Sequence, residues 1–327
     1  MNPMFRRLRA FLCTGVLLAA GLAHADPAGR PVNLLVPYPA GGPSDAIARI
    51  FAAPLGRELG RQVMVENLGG VSGAIGAQKV LAAPADGHYL FQGSPNEVIL
   101  SPLANAAVKV RAEDFRLLQP TAEAVMVLVA RKDLPADSID ELIALARRSP
   151  GRPLSYGSVG IGSLYHLILE DVQHRTGTTM THAPYKGNAP LLQDLGGGQL
   201  DFAVLVYSAG MGAMAEQGRI KVIGQLGEQR SELLRQVPTF AEGRELKGFA
   251  YRIWSGFMVP RATPEAVVER LHRAIGATLQ DPAVRTQLAA QSQRPAQPMA
   301  LAESARFYDD EIRRYREIAK SINLQPQ

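Results

Sequence analysis

Two stretches of this chain place glycines directly ahead of a predicted helix, a spacing suited to capturing an anion. They are Pro37-Tyr38-Pro39-Ala40-Gly41-Gly42-Pro43-Ser44-Asp45 and Gly157-Ser158-Val159-Gly160-Ile161-Gly162-Ser163. The first turn of a helix carries backbone N–H groups with no intrahelical partner, and the positive end of the macrodipole adds to their pull on a carboxylate. Gly41, Gly42, Gly160 and Gly162 would let backbone approach such a ligand, or would simply permit tight turns before the helices. Ser44 and Ser163 are good N-caps whose oxygens would serve their own helices or a ligand. Asp45 lies where the dipole rewards a carboxylate; it would orient the loop or accept from a ligand donor, and would repel a bare carboxylate.

Other chemistries fit less well. Ser163, His166 and Glu170 fall at i, i+3 and i+7 on one helix face and invite a hydrolase reading. A nucleophile needs an exposed, strained position and a separate oxyanion site, whereas this hydroxyl would be the helix cap, so no catalytic residue is assigned. His88, His174, His182 and His272 show neither HExxH nor a paired spacing, and no metal site is expected. Gly160-Ile161-Gly162 lacks the last glycine of a dinucleotide fingerprint, so no cofactor is expected. Lys186, after Tyr185 in a turn, is either an ion-pair partner for a bound acid or a solvated charge.

The elements that must position these residues form a pattern used twice. Val32–Val36, a helix from Ser44 and a strand from Val63 to Glu66 make the first copy; a strand over 154–156, a helix from Ser163 and a strand over 180–183 make the second. Ile47, Ile50, Phe51 and Leu55 share a face of the first helix, and Leu164, Leu167, Ile168 and Val172 a face of the second. Pro54 removes one hydrogen bond from the first helix. The strand Tyr89-Leu90-Phe91 ends in the loop Gly93-Ser94-Pro95-Asn96, and ligands of α/β sheets gather at such strand ends. Alternating helices and short apolar strands predict α/β domains with mostly parallel sheets. Val125 to Ala130 and Arg252 to Val259 read as strands crossing between two domains, a two-strand hinge. Three helical segments follow, Pro264 to Leu279, Pro282 to Gln291 and Leu301 to Ile322, the last with Phe307, Ile312, Tyr315 and Ile318 as apolar contacts.

Residues 1–25 read as a secretory signal: Arg6, Arg7 and Arg9, an apolar run from Ala10 to Leu22, and an Ala23-His24-Ala25 cleavage site, with the mature chain starting at Asp26. The only cysteine, Cys13, lies inside that run in a poor lipobox, so the mature chain needs no disulfide. The net charge of +5 falls to +2 once the three signal arginines are removed, and no basic cluster with interleaved aromatics occurs, which argues against nucleic acid as a partner. About 300 mature residues exceed the usual size of one core, which predicts two domains.

An ordered set of short motifs then points to a family. It comprises Pro37 to Asp45, Val65-Glu66-Asn67 with the glycines after it, Pro84-Ala85-Asp86-Gly87, Gly160-Ile161-Gly162-Ser163, Pro184-Tyr185-Lys186-Gly187, Asp194 to Asp201 and Val237-Pro238-Thr239. With these the chain resembles the Bug family, the extracytoplasmic solute receptors associated with tripartite tricarboxylate transporters. The resemblance spans essentially the whole mature chain. It implies a type II periplasmic-binding-protein-like fold, two doubly wound α/β lobes joined by a two-strand hinge. The lobes would be 26–127 plus 252–327 and 128–251.

The resemblance also implies a monomeric periplasmic receptor, not an enzyme, that closes on a small organic carboxylate or dicarboxylate. Its partner would be a membrane permease of the tripartite tricarboxylate type, or alternatively a membrane-bound sensor kinase. Members hold a carboxylate through backbone amides and hydroxyls of the first βα loop and its counterpart in the other lobe. On matching positions this gives Tyr38, Ala40, Gly41, Gly42 and Asp45 with Ser158, Gly160, Gly162, Ser163 and Tyr185. Two stretches depart from the family pattern, Ser94-Pro95-Asn96-Glu97 and Val204-Leu205-Val206-Tyr207-Ser208, and they add Ser94, Asn96 and Tyr207 to the candidate set. Glu97 reads most simply as an exposed loop acid, with a donor-bearing ligand as the alternative.

Overall fold

The strand β1 (Val32–Val36) sends Val32, Leu34 and Val36 into one apolar layer and Leu35 into another. A strand buried on both faces needs helices above and below its sheet, and the chain supplies them. The computed structural model describes residues 29–321, 324 and 326; the signal segment expected over 1–25, including Cys13, lies outside the described residues.

After β1, α1 (Pro43–Leu59) leads to β2 (Val63–Asn67), and α2 (Ala74–Ala82) to β3 (Tyr89–Gly93). A π-helical turn over Asn96–Leu100 runs into α3 (Ser101–Ala104) and on to β4 (Phe115–Ala124). A second series follows: β5 (Met126–Arg131), α4 (Ile139–Arg148), β6 (Ser155–Ser158), α5 (Leu164–Thr176), β7 (Thr181–Pro184), α6 (Asn188–Gly196), β8 (Phe202–Val206), α7 (Ala209–Glu216) and β9 (Ile220–Gln225). The chain ends with β10 (Ile253–Pro260), α8 (Glu265–Gln280), α9 (Pro282–Ala290), β11 (Gln293–Pro295) and α10 (Leu301–Ser321).

The strands form two sheets, ordered β11-β4-β10-β3-β1-β2 and β7-β6-β8-β5-β9. Both share one plan. In the first, β1 lies parallel to β2 and β3; in the second, β6 lies parallel to β7 and β8. An antiparallel strand comes next in each, β10 beside β3 and β5 beside β8. This is the two-lobed α/β architecture expected from the sequence, but the sheets are mixed rather than mostly parallel. The reason lies in the crossings: β5 and β10 are each the first strand after the chain changes sheet, and they enter against the strands they join. The crossings fall at strand ends, at Val125 and ahead of Ile253, so that β10 lies wholly in the first sheet.

Helix α1 buries Ile47, Phe51 and Leu55 against β1, β10 and α8, with the Phe51 ring edge-on to Phe257 at 5.0 Å. Ile50, expected on the same face, is only half-buried at its border. The helix continues through Pro54. Helices α1 and α5 both stop at a left-handed glycine, Gly60 and Gly177, whose positive φ suits the missing Cβ. On the opposite face of the first sheet α10 buries Tyr308, Ile312 and Tyr315, in a layer continuous with the core of the second sheet. Tyr308 replaces the Phe307 of the sequence reading as the deep contact; Phe307 packs edge-on against Trp254 at 5.2 Å.

Candidate functional site

The helix starts differ in how they satisfy their N–H groups. Ser163 caps α5: its Oγ accepts from the His166 N–H at 3.4 Å, and the Leu164 N–H donates to Asn96 Oδ1 at 2.8 Å from the other lobe. In α1 the N-cap is Gly42 and in α6 it is Gly187, and neither supplies a side-chain cap. Those two starts keep N–H groups for a ligand. Gly42, Pro43 and Ser44 at one start and Asn188 at the other face a single cavity of about 40 Å³ at the seam of the lobes. Tyr38, Pro39, Val159, Tyr165 and Val206 complete its walls. The glycine pattern had pointed to α5 as the second start; in the structure α5 carries a side-chain cap, and the start without one beside this cavity is that of α6.

The loop after β1 is held from below. Asp45 accepts from the Gly41 N–H at 3.0 Å and from Arg49 Nε at 2.9 Å. Burial works against its charge, but these hydrogen bonds prevail and hold its carboxyl below the ordinary range. Asp45 thus orients the loop, one of the roles foreseen for it, and it occupies the Gly41 N–H. Ala40 is exposed on the same loop.

Tyr38 lines the cavity, and Glu97 lies behind it. The Tyr38 hydroxyl donates to Glu97 Oε1 at 2.5 Å and accepts from Asn96 Nδ2 at 3.3 Å. Glu97 Oε2 accepts from the Ser94 N–H at 2.5 Å. Glu97 is fully buried, which overturns its reading as an exposed loop acid. The segment expected to be an open loop tightens into the π-helical turn, which folds Glu97 under Tyr38 and against Gly73, where a Cβ would lie 2.3 Å from Glu97 Cγ. Burial pushes the Glu97 carboxyl up to about 7, against the pull of the hydrogen bonds from Tyr38 and Ser94. Burial and the Glu97 charge together raise the Tyr38 hydroxyl well above its usual value.

On the second lobe the expected residues shape a loop. Ser158 Oγ donates to Gly160 O at 3.0 Å, accepts from the Gly160 N–H at 3.1 Å, and lies 2.7 Å from His182 Nε2. Gly160 and Gly162 have φ of +134° and +76°, and a Cβ on them would meet Ser72 Oγ at 2.5 Å and Ala104 Cβ at 2.0 Å. Their bareness serves the close approach of the lobes. Tyr185 donates to Asp194 Oδ2 at 2.7 Å, Tyr207 is half-buried, and Lys186 is exposed. Among the candidates, the cavity gathers Tyr38 and Gly42 into its walls, with Asn96 behind Tyr38. Sequence reasoning missed Asn188, Tyr165, Val159 and Val206 as wall residues. Asn188 was within reach, since it directly follows the Pro184-to-Gly187 motif and opens a helix; Tyr165 and the two valines carry only an apolar signal.

The three polar residues of α5 do not make a nucleophile. His166 Nδ1 accepts from the Gly162 N–H at 3.1 Å, so its acceptor nitrogen faces the loop and not the Ser163 hydroxyl, while Nε2 stands 3.7 Å from Glu170. Rings of Tyr156, His182 and His166 stack beneath the loop, the two imidazoles 4.1 Å apart. Among the described residues no group of three His, Cys, Asp or Glu side chains is placed to hold a metal, and no helix is long and apolar enough to cross a membrane.

Two α/β lobes with uncapped helix starts meeting across their seam define a solute-binding protein of the periplasmic type. Residues 47–324 match the model of the tripartite tricarboxylate transporter family receptor, and the chain belongs to that family. BugT of Bordetella pertussis is 33% identical over 322 residues, 96% of each chain. The solved periplasmic binding protein BugD superposes with a TM-score of 0.84 at 28% identity, over 92% of this chain and all of the other. A protein of R. palustris solved with adipate gives 0.84 at 30% over 92% of this chain and 99% of the other, and MatC of Rhodopseudomonas palustris, solved with bound malate, gives 0.82 at 27% over 89% and 99%. The family is one of solute receptors and not of enzymes.

Proposed function

We propose that this protein is an exported periplasmic receptor that captures a small organic carboxylate between its lobes, 26–127 plus 252–327 and 128–251, and delivers it to a tripartite tricarboxylate-type permease. The observation that carries the reading is the pair of helix starts at Gly42 and Gly187, without side-chain caps, aimed at one cavity. A carboxylate there receives N–H donors from both lobes, so binding and closure favour each other. Ser44 lines the same cavity with a hydroxyl-bearing side chain, and Asn188 adds an amide. Four further members of the candidate set, Ser158, Gly160, Gly162 and Ser163, support the site by shaping the loop beside it. The adipate and malate in the two R. palustris proteins give the ligand class its precedent. The receptor works as a monomer, needs no cofactor and does not bind nucleic acid.

Protein isolated from the periplasm without added ligand tests this directly. Intact mass should correspond to a chain starting at Asp26 without lipid, and mass spectrometry of the material released by denaturation should yield a small carboxylic acid. At 100 times its Kd that acid should stabilise the native state by about 2.7 kcal/mol, and the primary amide far less. A released solute without a carboxyl group, or an amide equal to its acid, overturns the reading.

A further inference from the structure

The wall opposite the helix starts has a chemistry of its own. Tyr38 and Tyr165 both line the cavity, and the other wall residues are glycine, proline, valine, serine and asparagine, with no charged side chain among them. A second carboxylate on the solute would therefore find neither lysine nor arginine in the wall. Instead, an acid lies immediately behind Tyr38: Glu97 is fully buried, and its two hydrogen-bond partners, the Tyr38 hydroxyl and the Ser94 N–H, are both neutral.

Keeping an acid there is costly, because neutral groups only partly replace the water it has lost. A glutamine would make comparable contacts without the charge. What the acid adds is negative potential on the cavity side. The Tyr38 proton is committed to Glu97 and turned away from the cavity, so Tyr38 cannot offer it to a carboxylate. Donation to a carboxylate also enriches the electron density of the phenol, which strengthens the attraction of its ring for a cation. The cavity thus runs from two positive helix starts to an aromatic wall backed by an acid.

Resting on the carboxylate reading above, we propose that the solute also carries an ammonium group, and that Tyr38 backed by Glu97 recognises it. The site then takes a zwitterion, an amino acid in the broad sense, in preference to a plain acid or a dicarboxylate. Glu97 acts as a positioning and charge-setting residue through Tyr38, not by touching the solute.

Calorimetric titration at pH 7.5 with matched compounds decides this: aspartate against succinate, glutamate against glutarate, 4-aminobutyrate against butyrate, and the remaining common amino acids against their deamino acids. The amino member of at least one pair should bind wild-type protein tenfold or more tightly than its deamino partner. Glu97→Gln should cut that preference at least fivefold, chiefly by weakening the amino member. Tyr38→Phe, which keeps the ring and cuts its link to Glu97, should reduce the preference in the same direction, and decides the matter if Glu97→Gln does not fold. Deamino acids binding as tightly as their amino partners, an unchanged preference in the variants, or no binding across the panel would each overturn the proposal. Amides of the preferred amino acids binding as well as the acids would instead support the cation wall and overturn the carboxylate reading.

Discussion

Glu97 is fully buried and His182 half-buried, and their ionisations act on stability in opposite directions. Burial, and then the neighbouring His166, hold His182 down to about 3 from an ordinary 6.5, and burial lowers His166 as well. The unfolded chain takes up a proton near pH 6.5 that the folded chain refuses, so this pair costs stability as the pH falls through 6.5 toward 3. For His182 the loss is about 2 kcal/mol between pH 7 and pH 5. Glu97, raised from 4.5 to about 7, stays protonated in the folded chain while the unfolded chain ionises. Its contribution is fully present below 4.5 and is lost as the pH rises through 7, about 2 kcal/mol between pH 5 and pH 7. In the wild type the two nearly cancel over that range. Denaturant unfolding of the ligand-free protein should show this: His182→Gln becomes more stable at pH 5 than at pH 7 by about 2 kcal/mol relative to wild type, and Glu97→Gln less stable by a similar amount. Variants that retain the wild-type pH profile would mean that burial does not set these ionisations.

At the scale of elements, three helix starts with similar sequences have different jobs, and side-chain caps separate them. Ser163 closes α5, so Ser163→Ala should cost about 1 kcal/mol of stability in thermal or denaturant unfolding without removing a ligand contact. Gly162→Ala should do more harm to binding than to folding. Its φ of +76° is strained for alanine, and the added Cβ strikes Ala104 Cβ across the seam at 2.0 Å, which the lobes relieve by staying apart. Gly42→Ala should keep near-wild-type stability, since φ is −88° and the nearest atom to a new Cβ is Pro39 O at 3.8 Å. Circular dichroism melts and titration of the three variants check the ordering. Much of this was legible beforehand: β1, α1 and α5 announce themselves by apolar period and by glycines at their ends, and the ordered motifs pointed to a two-lobed fold. Glu97 was not legible, because its burial depends on Tyr38, 59 residues away, and on Gly73, and one residue's exposure has no local sequence signal. Nor was the satisfied start of α5, since it turns on Asn96 reaching across the seam to the Leu164 N–H.

Across the whole molecule, the seam is held by few polar contacts, and this sets how the receptor opens. Ser72 Oγ donates to Ile161 O at 2.8 Å, Asn96 accepts from the Leu164 N–H at 2.8 Å, and the Pro39 ring fits between Gly69 and Gly187, where a Cβ on either would lie 2.9 Å from it. A single hydrogen bond is worth about 1 kcal/mol net, so closure without solute is weakly held. The cavity is walled from both lobes, by Gly42, Pro43 and Ser44 on one side and Val159, Asn188 and Val206 on the other, so lobes that part admit a solute and lobes that close enclose it. Small-angle scattering should then show a smaller radius of gyration at saturating solute than without it. Ser72→Ala removes a bond that exists only while the lobes are together. It should therefore weaken solute affinity about fivefold, the equivalent of about 1 kcal/mol, while changing the melting temperature of the ligand-free protein little. A scattering curve unaltered by solute, together with wild-type affinity in Ser72→Ala, would show that the lobes do not move and that solute enters by another route.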